Sequence, residues 1–271
     1  MHLTEIFIDG FRSFKQPTTI DLTDMYTGLT NNRIIFVGTN ASGKTTLLET
    51  VVSLLKAWHG LEDDLYRSLV EEARSVSIGF RGSDSSAALR LEQGKLHKEG
   101  TAELPYFIYF PGNRSFFPEK EVEKLDEDWG YTYSFEQGLL HRELEDGFGQ
   151  LSAEFFAGRT LARSDRGYTL SSAADQSRAI PLERIPAGEK QALILLTIID
   201  KYLRPGSIVL IDEFEVSLHP TAQRRLFHLL SEKLKRNGSQ LVLATHSVEI
   251  IRLANEAEVF SLDEICGGAC Q

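Results

Sequence analysis

The chain has 271 residues, 42% of them hydrophobic, and a formal net charge of −10. That length buries a full core, as one large domain or one domain with an insert, and the acidic balance argues against indiscriminate binding to nucleic acid, which depends on neutralising many phosphates with Lys and Arg. The two cysteines, Cys266 and Cys270, form no framework of the secreted kind and, without a second pair, no metal site.

No leader precedes the first strand-like residues and no apolar run approaches membrane-spanning length, so the expectation is a soluble, cytoplasmic protein without a membrane partner. Basic residues gather between Arg74 and Lys98 and at Arg159, Arg163 and Arg166. At this density they read as an ordinary solvated face. DNA is left as a possible partner that the net charge does not support.

Residues 2 to 9 and 17 to 22 read as a strand pair around the turn Gly10-Phe11-Arg12-Ser13-Phe14. Arg33 to Val37 is a near-continuous apolar run of the kind found in a central parallel strand, ending at Gly38. From Lys44 the period changes: Leu47, Leu48, Val51, Val52, Leu54, Leu55 and Trp58 recur three and four apart, and Gly60 ends the predicted helix.

The middle of the chain carries weaker signals: a helix to Ala73, strands at 75 to 80 and 87 to 93, an apolar strand from Tyr106 to Phe110, and the acidic stretch Glu119 to Asp128. No internal repeat and no sustained heptads are present. Alternation then resumes, with a buried strand at Ile208 to Ile211, an amphipathic helix from Thr221 to Lys235, a strand at Leu241 to Ala244 and a last one at Val259 to Leu262. The expected fold is α/β, with a core of residues 1–60 and 180–262, an inserted subdomain over 61–179 and a tail over 263–271.

Three groups of residues carry chemistry. Gly38-Thr39-Asn40-Ala41-Ser42-Gly43-Lys44-Thr45 fits G-x-x-x-x-G-K-[ST] between a predicted strand and a predicted helix, the context that gives the motif meaning. Its glycines let backbone amides close around phosphate oxygens, the helix start adds a positive dipole, Lys44 reaches the β and γ phosphates, and Thr45 offers a hydroxyl to magnesium, with Thr46 following in the helix. Ile208 to Glu213 is an apolar strand delivering two carboxylates: Asp212 to hold magnesium through water, and Glu213 to orient and deprotonate the attacking water. The strand Leu241 to Ala244 ends in Thr245-His246-Ser247, placing His246 to contact the γ-phosphate.

In this order the features resemble the ABC-type ATPases of the RecF, structural-maintenance-of-chromosomes and OLD-like branch. Three further stretches match. Gly10 to Phe14 resembles the family's N-terminal turn, Ile185-Pro186-Ala187-Gly188-Glu189-Lys190-Gln191 its signature L-S-x-G-E-[KR]-Q, and Ser217-Leu218-His219-Pro220 its D-loop. The resemblance implies a P-loop ATPase head with an N-terminal antiparallel β subdomain and an inserted helical or mixed subdomain. It implies two subunits sandwiching two ATP molecules with magnesium, each ATP bound by one phosphate loop and capped in trans by the other chain's Pro186, Ala187, Gly188 and Glu189.

Pro186 departs from the family's serine and lacks both its hydroxyl and its amide, which points to slow hydrolysis. The resemblance also makes Arg12 and Phe14, in the N-terminal turn, candidates for contacting the nucleotide, Phe14 equally a core residue. The Gln-loop is open between Gln93, Gln137 and the Asn113-Arg114 turn, with Arg114 as the choice near the nucleotide, equally a surface turn residue. ATP is favoured over GTP because no N-K-x-D-type motif follows the loop.

No acidic nuclease domain follows the last strand, so the resemblance implies a separate effector, nuclease or toxin-like, in bacterial or phage defence, docking on residues 61–180. The alternatives are a DNA-repair ATPase that binds DNA itself, a non-hydrolysing scaffold held by ATP, and, less well matched, a transporter subunit.

Overall fold

The computed structural model describes residues 1–24, 27–112, 126–132, 144, 147–164 and 167–266. Strands β1 (His2–Asp9) and β2 (Thr18–Asp21) pair antiparallel, and β3 (Arg33–Val37) runs through the phosphate-loop motif into helix α1 (Lys44–Trp58). Helix α2 (Asp64–Glu72) starts where the Asp63 carboxylate accepts the Tyr66 N–H, a cap that satisfies one otherwise orphaned donor. The chain continues through β4 (Ser75–Arg81), β5 (Ser86–Glu92), β6 (Lys95–Gly100), β7 (Phe107–Phe110), β8 (Asp126–Glu127) and β9 (Gly130–Thr132). A short helix α3 (Gln150–Phe155) precedes the meander β10 (Arg159–Ser164), β11 (Gly167–Ser172) and β12 (Asp175–Pro181). Then come α4 (Ala187–Tyr202), β13 (Ile208–Ile211), α5 (Pro220–Arg236), β14 (Gln240–Ala244), α6 (Val248–Leu253), β15 (Val259–Ser261) and α7 (Leu262–Ile265).

The described strands form three sheets. An antiparallel sheet runs β2-β1-β4-β5-β6, β10 to β12 form a small antiparallel sheet, and the central sheet runs β15-β3-β14-β13-β7-β9-β8. In the central sheet every described pairing is parallel except that of β8 with β9. The stretch expected as an insert thus supplies strands to larger sheets: β4 to β6 extend the N-terminal sheet, and β7 lies inside the central one.

Strand period explains the layering. Alternate residues of the central strands point to opposite faces, and both faces are covered. Ile34, Phe36, Ile208, Leu210, Val242 and Ala244 pack with α1 and the antiparallel sheet, whereas Ile35, Val209, Ile211, Leu241 and Leu243 pack with α4 and α5. Continuous apolar runs at β3, β13 and β14 are the sequence mark of this double burial.

Among the described residues no helix is long and apolar enough to cross a membrane. Asn113, Arg114, Gln137, Arg166, Cys270 and the part of the acidic stretch from Glu119 to Leu125 lie outside the described residues.

Candidate functional site

Three strands that are neighbours in the central sheet end side by side: β3, β14 and β13. Their carboxyl ends deliver the phosphate-loop motif, Thr245-His246 and Asp212-Glu213 to one cleft of about 490 Å³. This is where open α/β sheets hold ligands. Asn40, Ala41, Gly43, Lys44, Thr45, Thr46, Asp212, Glu213 and His246 line it, joined by Arg12 from the N-terminal turn.

The loop's shape depends on two glycines. Gly43 is left-handed, with φ 101°, and a Cβ there would stand 2.7 Å from a ring carbon of Phe14. Gly38, with φ 154°, would bring a Cβ within 2.6 Å of the Ser42 hydroxyl oxygen. The Phe14 ring is itself buried, so glycine is required at position 43 by close approach, whereas at Gly38 the Ser42 side chain would have to move. Phe14 is buried under the loop, which makes it a packing residue.

Lys44 is buried, and its ammonium donates to the carbonyls of Gly38 (3.0 Å) and Thr39 (2.8 Å) and to the Ser42 hydroxyl (3.3 Å). Burial pushes its pKa below the ordinary lysine value, while Asp263, Asp212, Glu215 and Glu213 pull it back up. The Thr45 hydroxyl donates to Asp212 at 2.8 Å, and the other Asp212 oxygen accepts the Glu213 N–H at 3.1 Å. A buried carboxylate is thereby fixed toward the loop.

Glu213 has φ 47°, an uncommon conformation for a non-glycine residue. The next residue, Phe214, is buried and donates its N–H to the Ala244 carbonyl at 3.3 Å. Together these turn the Glu213 side chain out to the cleft. Gly112, just past β7, closes in from the other side: a Cβ there would come within 3.1 Å of the Glu213 side chain.

Arg12, φ 46°, pairs with Glu49 at 3.4 Å. Burial raises the Glu49 pKa, and Arg12 opposes the rise. Thr39 is held from outside the loop, since Asp263 of α7 accepts both its N–H and its hydroxyl at 2.8 Å. The His246 N–H donates to Glu215 at 2.7 Å, and Glu215 also accepts the Thr245 hydroxyl.

Asp263 and Glu215 escape sequence reading for different reasons. Asp263 reaches a loop more than two hundred positions earlier in the chain, with no local signal. Glu215 could have been found, because it lies two residues past a strand-end carboxylate in a turn that must double back.

The signature residues sit elsewhere: none of Pro186, Ala187, Gly188 and Glu189 lines the cleft of their own chain. Pro186 is the N-cap of α4 and offers no side-chain cap. Gly188 packs so tightly on the D-loop that a Cβ would stand 2.4 Å from the Ser217 carbonyl oxygen. Glu189 is held by a two-pronged pair with Arg159, at 2.7 and 2.9 Å. Gln93 occupies the β5–β6 hairpin turn with φ 50° and does not line the cleft.

A central parallel sheet, a Gly-rich loop opening α1 and paired acidic residues just past β13, the next strand but one, with an antiparallel N-terminal sheet, define a P-loop ATPase head of the ABC type. The chain belongs to the family described as "AAA domain, putative AbiEii toxin, Type IV TA system", whose model matches residues 108–252, more than half of the sequence. A model described as "AAA ATPase domain" matches residues 1–100.

Among solved structures the chain is similar to the SMC head domain from Thermotoga maritima, with 17% identity, a TM-score of 0.53, and coverage of 96% of this chain and 94% of that one. At that identity the likeness concerns the fold. No curated protein matches the chain.

Proposed function

We propose that the protein binds ATP with magnesium in this cleft, hydrolyses it, and closes as a homodimer around two ATP molecules to control a partner protein. The observation that carries this reading is the convergence of Lys44, Thr45, Asp212, Glu213 and His246 on one cleft from three adjacent strand ends.

In this reading the amides of Asn40 to Thr46 and the Lys44 ammonium hold the phosphates, Lys44 exchanging its loop carbonyls for phosphate oxygens. Thr45 and Asp212 form an all-oxygen pair suited to a hard cation. Among the described residues no cluster of three or more His, Cys, Asp or Glu could hold a metal, and magnesium in phosphate sites commonly uses one or two protein ligands beside the substrate phosphates. When bound, it neutralises the charge that develops on the phosphates.

Glu213 takes the proton of the water that attacks the γ-phosphorus. The bond to the bridging oxygen breaks, and ADP leaves. His246 contacts the γ-phosphate. Arg12 approaches the nucleotide from the N-terminal turn.

Dimer closure is supported by the separation of the signature from its own chain's cleft: the start of α4 is a second helix terminus with no side-chain cap, suited to a partner's ATP. The family's description names a toxin and a toxin–antitoxin system, which favours a nuclease or toxin-like effector in bacterial or phage defence, in the cytoplasm.

Light scattering with and without ATP and magnesium, on the wild type and Glu213→Gln, tests the reading. ATP should drive a monomer to a dimer that persists in the variant and decays in the wild type, and phosphate release in the variant should fall about 10²- to 10⁴-fold, the usual worth of a general base. Mass that ignores nucleotide in both proteins overturns the ATP-gated dimer. Pro186 favours a second reading, a scaffold glued by unhydrolysed ATP; intact ATP recovered from the wild-type dimer after long incubation with magnesium would select it.

A further inference from the structure

We infer that Glu215 is a positioning residue that holds His246 at the cleft and couples it to the D-loop turn on which the signature helix rests. The inference builds on the hydrolysis reading above and adds a residue to it.

Glu215 sits in the turn that leaves β13, yet its carboxylate reaches across to the end of β14. One oxygen accepts the His246 N–H at 2.7 Å and the other accepts the Thr245 hydroxyl. Thr245 is fully buried, and its oxygen also accepts the Ser247 N–H at 3.0 Å. The carboxylate therefore answers two donors on consecutive residues, a match that fixes the backbone from which the imidazole projects. Beside it, the Phe214 N–H fastens the same turn to the Ala244 carbonyl.

The turn has a second neighbour. Leu218 N–H bonds back to the Glu215 carbonyl at 2.9 Å, and between them Ser217, φ 61°, turns its carbonyl against Gly188 of the signature helix. A shift of α4 thus presses on Ser217, and the turn carries that shift through Glu215 to the two residues it holds. The path is built entirely of contacts inside one chain.

A positioning role differs from a chemical one in how its loss combines with loss of His246. In Glu215→Ala, phosphate release should fall about tenfold to a hundredfold, the scale of a misplaced catalytic group, while ATP affinity changes less, because Glu215 reaches the phosphate loop only through its charge on Lys44. Glu215→Gln keeps an oxygen for the His246 N–H and reverses the Thr245 bond, its amide donating to the Thr245 oxygen, so it should recover most of the lost rate by keeping the contact to His246. Adding Glu215→Ala to His246→Ala should slow the enzyme no further.

Wild-type rates in Glu215→Ala, or a defect that multiplies in the double variant, overturn the inference. Should the wild type release no phosphate, the hydrolysis reading fails instead. Glu215 is then judged by NMR: the His246 imidazole resonance, assigned by its loss in His246→Ala, must move in Glu215→Ala and stay put in Glu215→Gln, and an unmoved resonance in both rejects the role. Glu215→Asp, one methylene shorter, serves the same comparisons if the alanine variant does not fold.

Discussion

Two helices of this protein begin where an anion could be received, and they are equipped differently. Helix α1 starts from Gly43 with no side-chain cap and no acidic residue in its first turn, and it carries Lys44 and Thr45 at its very start. Helix α4 starts from Pro186, also without a side-chain cap, but with Glu189 in its first turn and a tightly packed glycine at its second position. Both leave backbone amides pointing outward. Only the first sets a buried cation and a hydroxyl at its very start, beside the Asp212 carboxylate from another strand, so α1 can found a phosphate site, whereas in the proposed dimer α4 completes one held by another chain.

The largest test of that contrast removes the cation. Lys44→Ala deletes charged hydrogen bonds each worth about 1.5–3 kcal/mol, so ATP affinity should fall at least about tenfold, and toward a hundredfold if one bond is fully lost. Titration calorimetry on the monomer reads it. Unchanged affinity would mean that the loop amides alone hold the phosphates, and the two helix starts would then be alike.

A smaller effect is expected at the other helix. Gly188→Ala sets a methyl group 2.4 Å from the Ser217 carbonyl oxygen, and relieving such overpacking costs about 1–3 kcal/mol. Thermal unfolding should move down by several degrees while the monomer's ATP affinity stays the same. A variant that melts like the wild type would show that the signature helix stands off from the D-loop, and the contrast would lose its packing half.

The same contrast governs how much the sequence reveals. At β3, β13 and β14 the strands are apolar on both faces and end in residues of unmistakable chemistry, so the elements and the placement of Lys44, Asp212, Glu213 and His246 at their ends are legible. Boundaries follow closely, with Thr221 to Lys235 expected and Pro220–Arg236 found for α5.

The region that supports the signature is illegible because its signals are weak and its partners remote. Helix α3 has six residues, and its first turn is capped by Asp200, which accepts the Leu151 and Ser152 N–H groups at 3.0 Å from the far end of α4. Strand β11 buries Tyr168, Leu170 and Ser171, an alternation with two apolar residues, too short to stand out in the sequence. Strand β6, Lys-Leu-His-Lys-Glu-Gly, is polar because it lies at the edge of its sheet.

The smallest expected effect, and the sharpest for the comparison, belongs to Pro186. Serine there restores a hydroxyl at the N-cap of α4, and that hydroxyl has two uses. Turned inward it accepts an amide of the helix's first turn, which stabilises the fold by roughly 0.5–2 kcal/mol. Turned outward it donates to a phosphate across the dimer, and one such bond, about 0.5–1.5 kcal/mol, raises turnover roughly two- to tenfold. Accepting uses a lone pair and donating uses the hydroxyl proton, so each use has its own readout, and melting temperature and phosphate release, measured together on Pro186→Ser, separate them. Faster release with an unchanged monomer melt shows that the proline withholds a contact made in trans. A higher melt with unchanged release shows that α4 needs only its amides, and that slow hydrolysis, if seen, originates elsewhere than in the signature.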